Sequence, residues 1–227
     1  MEKNNYTSLK KFSKDLGLHL FGVADISGVK ADFKLSSLIL RKVDKAVVMG
    51  ARLSCAVLQE ISQEPTRLYS HHYKTVNTFL DICAMRVGNY IQDNGFYSLP
   101  IPASQILDWK KQTAHLSHRQ LGVLAGLGWI GRNNLLVNKE FGSRFRLVTV
   151  LTDMPLSIDS PAEGSCGNCH ACKTLCPSGA IKESSADFDR NVCLEKLKGF
   201  SKSQIVDQYI CGVCVNVCGG LFRGHNT

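Results

Sequence analysis

The sequence predicts an α+β protein in two parts, a mixed body over residues 1–155 and a cysteine-rich module over residues 164–220. Three observations predict it. Helix-period and strand-period segments follow one another in irregular order up to residue 155, which favours a sheet layered with helices over a doubly wound sheet. Eight of the ten cysteines fall between Cys166 and Cys218. Between the two parts, Thr152-Asp153-Met154-Pro155 through Ser160-Pro161-Ala162-Glu163-Gly164-Ser165 has turn and linker chemistry.

The elements of the body follow from pattern and punctuation. Ser8 to Leu16 has helical periodicity, with Gly17 as its stop. His19 to Ile26 reads as a strand, and Lys45 to Gly50 as a second, buried one. Val76, Phe79, Leu80, Cys83, Val87, Tyr90 and Ile91 fall on one helical face, so residues 74–93 form an amphipathic helix closed by Asn94-Gly95. Tyr97 to Ile101 is a short strand ended by prolines. Ser117 caps a helix that runs to Ala125. Leu135 to Val137 and Arg144 to Leu151 complete the strands.

Composition narrows the class. Of 227 residues, 44% are hydrophobic and 20% charged, a globular mix that excludes disorder as the main state. The N-terminus has no signal-peptide run, and the longest mostly apolar stretch, Leu121 to Ile130, is far short of the roughly 18 residues of a spanning helix. A cytoplasmic protein with no membrane partner is expected. In a reducing compartment, clustered cysteines are metal ligands or redox groups, not bridges. The net charge of +8 hints at nucleic acid. Two iron–sulfur clusters with four thiolates each, at about −2 apiece, would halve it.

Cys166-x2-Cys169-x2-Cys172-x3-Cys176-Pro177 is the run that bacterial ferredoxins use for [4Fe–4S] clusters. Structural zinc, the alternative, takes two well-separated cysteine pairs. A second group follows as Cys211-x2-Cys214-x3-Cys218, with Cys193 eighteen residues upstream. Eight ligands suffice for two clusters. In the ferredoxin exchange, Cys166, Cys169, Cys172 and Cys218 hold one, and Cys176, Cys193, Cys211 and Cys214 the other. A redox dithiol remains the alternative for the second group. Gly219 follows Cys218 where a ferredoxin has proline. His170 reads as a spacer between ligands, and Cys55 and Cys83 as buried small apolar residues.

Gly126-Leu127-Gly128-Trp129-Ile130-Gly131 matches G-x-G-x-x-G. A dinucleotide fingerprint must follow a strand and open a helix. Here a helix precedes and a strand follows, so a tight turn lining a different ligand is expected.

The segment from Ala125 to Leu136 (AGLGWIGRNNLL), then Phe141-Gly142-Ser143, Leu151 to Leu156 and the cysteine run CGNCHACKTLCPSGAI resemble epoxyqueuosine reductases. These are cobalamin-dependent tRNA-modifying reductases related to reductive dehalogenases. The resemblance spans about residues 43–218 and is strongest from Ala125 onward. It implies a nitroreductase-like, corrinoid-binding body followed by a ferredoxin-like module with two [4Fe–4S] clusters. It further implies that Gly126, Gly128 and Gly131 floor a cobalamin pocket, with Trp129 and Arg132 at the ring's amide rim and Tyr69 and Tyr73 nearby. His71 and His72 are pocket or surface residues, and Trp109 packs. The family's catalytic acid lies in a D-x-x-P-x-x-E segment. Here ungapped counting puts Gln112 at the Asp, His115 at the Pro and His118 at the Glu. Arg132 stands where the family has lysine, and its members carry a C-terminal helical-repeat region that follows the last cysteines.

His115 and His118 are accordingly the candidate proton donors, since histidine titrates near neutral pH; hydrogen bonding at a helix start is the alternative. The expected activity is reduction of a small or nucleoside substrate, with electrons drawn from a donor protein or reductant through two clusters and a corrinoid. A tRNA substrate is weighed against the altered acid segment. The alternative is an electron carrier or corrinoid-reducing activator that turns over no substrate itself.

Overall fold

A four-stranded sheet in the order β1-β2-β6-β3 organises the first of two compact units. The computed structural model describes residues 1–108 and 113–220; Trp109 and Gln112 lie outside the described residues. Along the chain come α1 (Glu2–Asp15), β1 (Leu20–Asp25), α2 (Ser37–Leu40) and β2 (Lys45–Arg52). Then follow α3 (Cys55–Gln59), α4 (Arg67–Asp93), β3 (Ser98–Ile101) and α5 (His118–Leu124). The short β4 (Trp129–Ile130) and β5 (Leu136–Val137) lead into β6 (Phe145–Thr152). The cysteine-rich part carries α6 (Ala171–Thr174), α7 (Arg190–Lys202) and α8 (Val213–Asn216). The fold class is α+β, as the irregular order of periodicities predicts. Among the described residues no helix is long and apolar enough to cross a membrane.

The first unit comprises Met1–Ala51, Asn77–Leu127 and Arg146–Ala162. Its central strands are buried residue after residue: Val47, Val48 and Met49 in β2, and Val148, Thr149, Val150 and Leu151 in β6, are fully buried. That is the pattern of strands covered on both faces. α1 contributes Leu9, and α4 contributes Leu80, Val87 and Ile91. α5 ends against β1, where a side chain at Gly22 would put its Cβ 2.2 Å from the Ala125 carbonyl oxygen. At full burial, each of these aliphatic side chains contributes about 1.5–3 kcal/mol.

α1 and α4 begin earlier than periodicity predicts. Glu2 places a carboxylate in the first turn of α1, which favours the helix dipole. Thr66 Oγ1 accepts from the Tyr69 N–H at 3.1 Å, so α4 is capped ten residues before Val76, where its apolar face begins. The linker reading also changes. Met154 and Leu156 are 1% exposed, and Asp159 accepts from the Val23 N–H at 2.8 Å and from the Tyr6 hydroxyl at 3.0 Å. Burial, then the Asp159 carboxylate, pushes the Tyr6 phenol up to about 12. Residues up to Ala162 therefore pack with the sheet unit.

The second unit comprises Arg52–Val76, Gly128–Phe145 and Glu163 onward. The chain enters and leaves it repeatedly, so the boundary near residues 155–164 is only the last crossing. Its core is small: Leu53, Leu58, Ile61, Tyr69, Ile181, Phe200, Val206 and Val213 are buried. Hydrogen bonds supplement it. Asn216 Nδ2 donates to the Ile61 carbonyl at 2.9 Å, and Arg144 Nε donates to the Asn216 carbonyl at 2.9 Å.

Candidate metal centre

The spacing Cys166-x2-Cys169-x2-Cys172 closes a tight loop, with the Cys169 N–H donating to the Cys166 carbonyl at 3.0 Å. α6 starts inside this loop and carries Cys172 inward, while Cys169 stays exposed. Burial pushes the Cys172 thiol up to about 11, and its neighbours Cys218, Cys166 and Cys169 add to the rise. These four sulfurs are thus electrostatic neighbours. Cys218 arrives from the far end of the chain, where its carbonyl accepts from the Ser143 N–H at 3.0 Å.

Cys176 closes the first run in sequence but stands with the second group. Burial pushes the Cys193 thiol up to about 11, followed by the influence of Cys176 and Cys211. Cys214 is raised well above the ordinary thiol value by burial, then by Cys211, Cys193, Cys172 and Cys176. α7, capped by the Asp189 carboxylate on the Val192 N–H at 3.0 Å, supplies Cys193. For Cys176 burial acts upward, but the Ser178 hydroxyl (3.3 Å) and the N–H groups of Ile181, Ser178 and Ala180 outweigh it and lower the thiol. For Cys211 burial prevails over the Val213 N–H and the Lys196 ammonium. Thiolates, not thiols, bind metal, so loading either group releases protons. Among the described residues, no three His, Cys, Asp or Glu side chains form a site for a single metal ion.

Arg132 lies beside the first cysteine loop. Its Nη1 donates to the Cys169 carbonyl and its Nη2 to the Gly167 carbonyl, both at 2.9 Å. Its Nε lies 3.9 Å from Glu183, whose carboxylate also binds Lys173 and, at 3.2 Å, His170 Nδ1. Lys173, through its hydrogen bond first, and then His170 and Arg132 hold the Glu183 carboxyl below its usual range. The fork geometry of a guanidinium suits two carbonyls at once. No local spacing signals this contact.

The other predicted ligand residues meet protein. A Cβ at Gly126, whose φ is +71°, would lie 2.7 Å from the Ser160 carbonyl oxygen. One at Gly128 would lie 2.0 Å from the Val137 carbonyl oxygen, so the turn is glycine-rich because chain packs against chain there. A Cβ at Gly131 would lie 2.5 Å from Val137 Cγ2 and 3.3 Å from the Cys166 sulfur. The Trp129 ring lies over Gly164, and its buried indole N–H has no acceptor among the described residues. Tyr69 is buried against Gly212, inside the Cys211–Cys214 loop, with the Tyr73 ring 6.3 Å away. His72 Nε2 accepts from the Ser54 N–H at 2.9 Å, and burial lowers its pKa. Cys83 is buried as expected, whereas Cys55 is partly exposed beside the Arg52 guanidinium.

His115 and His118 belong to the first unit. His115 Nδ1 is 2.9 Å from the Lys34 carbonyl oxygen. His118 has both nitrogens engaged, Nδ1 with Thr149 Oγ1 and Nε2 with the Pro102 carbonyl, each at 2.8 Å. A carbonyl only accepts, so Nε2 carries the proton and Nδ1 accepts from the Thr149 hydroxyl. Desolvation pushes His118 down to about 4 against the Pro102 bond, with Arg146 assisting. The imidazole is neutral at physiological pH and serves as a latch between elements.

No protein-family model matches the chain. Epoxyqueuosine reductase of Escherichia coli strain K12 is 49% identical over 71 residues, 31% of this chain and 19% of that protein. The Bacillus anthracis enzyme of the same name is 35% identical over 114 residues, 47% of this chain and 30% of its own. That of Leadbetterella byssophila is 34% identical over 114 residues, 45% of this chain and 37% of its own. The aligned part thus makes up between about a fifth and just over a third of these relatives. Among solved structures, a catabolic reductive dehalogenase in complex with 3-bromo-4-hydroxybenzoic acid superposes with a TM-score of 0.69 at 19% identity, over 81% of this chain and 26% of its own. Epoxyqueuosine reductase from Streptococcus thermophilus superposes with a TM-score of 0.63 at 18% identity, over 93% of this chain and 65% of its own. A further epoxyqueuosine reductase, with an epoxyqueuosine-modified tRNA stem loop, superposes with a TM-score of 0.61. Over the aligned residues the chain is similar in sequence to epoxyqueuosine reductases, and over most of its length it shares the α+β fold of the solved epoxyqueuosine reductases and the reductive dehalogenase.

Proposed function

We propose that the chain is an iron–sulfur reductase that acts on a modified nucleoside carried in tRNA. The observation that supports this most directly is the gathering of eight cysteines into two groups of four, each drawing on both ends of the module. All-thiolate sets of four are the donor chemistry of [4Fe–4S] clusters. Cys166, Cys169, Cys172 and Cys218 hold one cluster, and Cys176, Cys193, Cys211 and Cys214 the other. When bound, the clusters supply single electrons and a corrinoid supplies the reducing centre next to the substrate. The solved relatives support the last part: one is described through B12-dependent dehalogenation, another with the tRNA stem loop. Among the residues expected at a corrinoid, Trp129 retains a donor with no partner among the described residues. Arg132 and the glycines are engaged with the chain itself. Reduction of an epoxide to an alkene takes two electrons and two protons and releases water.

One observation favours a second reading, in which the clusters serve a partner protein. Gln112 stands at the family's acid, and His118, at the Glu position, is neutral with both nitrogens bonded. The test uses anaerobically reconstituted protein, cobalamin, a low-potential reductant and an epoxyqueuosine-bearing tRNA stem loop. Product lacking one oxygen by mass spectrometry supports the reductase. A fully loaded protein that reduces added cobalamin but leaves the RNA unchanged establishes the second reading.

A further inference from the structure

Asn133 and Ser143 stand in two segments of the chain that carry the sequence resemblance, and the function above gives neither of them a role. They are 4% and 3% exposed. A buried amide and a buried hydroxyl both require partners. Asn133 Oδ1 accepts from the Leu135 N–H at 3.2 Å, which fixes the orientation of the amide, because only its oxygen can accept. Nδ2 then donates to Ser143 Oγ at 3.1 Å. A hydroxyl oxygen that accepts in this way still has its own proton to give.

The backbone presents that proton to a thiol. The Ser143 N–H donates to the Cys218 carbonyl at 3.0 Å, so the two residues lie side by side. The approach is so close that a Cβ at Gly142, where φ is +61°, would come within 1.9 Å of the same carbonyl oxygen. Burial pushes the Cys218 thiol up, and the Ser143 hydroxyl and N–H both act against that rise in favour of the thiolate. The order is amide to hydroxyl to sulfur, with each donor oriented by the bond behind it.

We infer that Asn133 and Ser143 form a hydrogen-bond relay onto the Cys218 sulfur and tune the cluster held by Cys166, Cys169, Cys172 and Cys218. The inference rests on the two-cluster reading. One-electron reduction adds negative charge to a cluster and its thiolates. A donor on a ligand sulfur stabilises that charge, and hydrogen bonds to sulfur are among the determinants of cluster potential. A bond to a thiolate is charge-assisted and stronger than one to a neutral acceptor. In the second group the corresponding hydroxyl is Ser178, on Cys176. Each group therefore has its own hydroxyl donor, and loss of one is felt by one cluster. Asn133 and Ser143 are positioning residues: they act on the cluster through Cys218.

The experiment is a redox titration followed by electron paramagnetic resonance, with iron analysis, on the full chain reconstituted anaerobically as wild type, Ser143→Ala, Ser143→Thr and Asn133→Asp. Wild type with about eight irons and two midpoints establishes the clusters; four irons or fewer overturns the cluster reading and the relay with it. In Ser143→Ala one midpoint falls and the other stays. Ser143→Thr, which keeps the hydroxyl, retains both. Asn133→Asp replaces the amide donor by an acceptor, draws the hydroxyl away from Cys218 and lowers the same midpoint. Full iron with unchanged midpoints in Ser143→Ala overturns the relay, as does an equal displacement of both. If Ser143→Ala takes up no iron, Asn133→Asp decides by the same criterion. Loss of both clusters in all three variants makes the pair a packing element and overturns the relay.

Discussion

The two thiol groups differ in what supports them. The first has an exposed member, Cys169, and is braced by side chains from outside the cysteine runs: Arg132 on two loop carbonyls and Ser143 on Cys218. The second has no such member, all four of its thiols being only partly exposed. Cys214 is the most strongly raised of its thiols, α7 carries Cys193, and Tyr69 and Ile61 close over Gly212 between Cys211 and Cys214. The first group draws its polar contacts from side chains outside the cysteine runs, whereas in the second the bonds to Cys176 are local and packing by Tyr69 and Ile61 comes from outside. Defects in the first should be graded and in the second abrupt, because a packed interior transmits volume errors while a hydrogen bond is lost singly.

The largest contrast is expected from the ligands themselves. Cys214→Ala leaves an open cluster corner at the most desolvated thiol of its group and should take iron from about eight to about four per chain by anaerobic analysis. Cys169→Ala opens a corner to solvent, where water or added thiol can fill it, and should retain more iron. Equal losses in the two would erase the distinction. Next, Gly212→Val sets a β-branched residue at φ +85° with its Cβ 2.6 Å from the Tyr69 ring. A cost on the order of 3 kcal/mol is expected in denaturant unfolding, with loss of the second cluster first.

Arg132→Lys keeps the charge but loses the two-pronged bond, so about 1–3 kcal/mol is expected at the first loop only. Chelator should then strip one cluster faster and leave the other at its wild-type rate. The smallest effect concerns pH, with the first unit as reference. His118 is held at about 4 when folded, against an ordinary value of 6.5. The unfolded chain binds the proton more readily between those values, so stability falls as pH drops from about 6.5 toward 4. His118→Gln should flatten that part of the stability curve. An unchanged acid limb would remove His118 as its source.

Much of the body was legible because its signals are local. The face from Val76 to Ile91 fits a helical period and forms the apolar side of α4. Ser117 caps α5 by accepting from the Gln120 N–H, as its position predicts. The runs around Val47 and Val148 are β2 and β6. Where the linker reading and the structure differ, the deciding contacts lie far away in sequence. Met154 and Leu156 read as linker because two apolar residues among prolines and serines carry no period, yet they pack into the core. α7 was missed because its amphipathic stripe is interrupted by Cys193 and Gly199, and its start rests on the Asp189 cap.

The same division runs through the site. Sequence by itself determined the α+β class, the long helix, the core strands and the identity of the eight thiols, all of which depend on spacing within a few residues. Only tertiary structure decided what Arg132, Gly128, Tyr69, Asn133, Ser143 and His118 do. Arg132 reaches carbonyls 35 and 37 residues away, and His118 meets Thr149 across 31. A side chain's period is a property of its own segment, whereas the partner of a hydrogen bond is chosen by whichever distant backbone the fold brings within 3 Å.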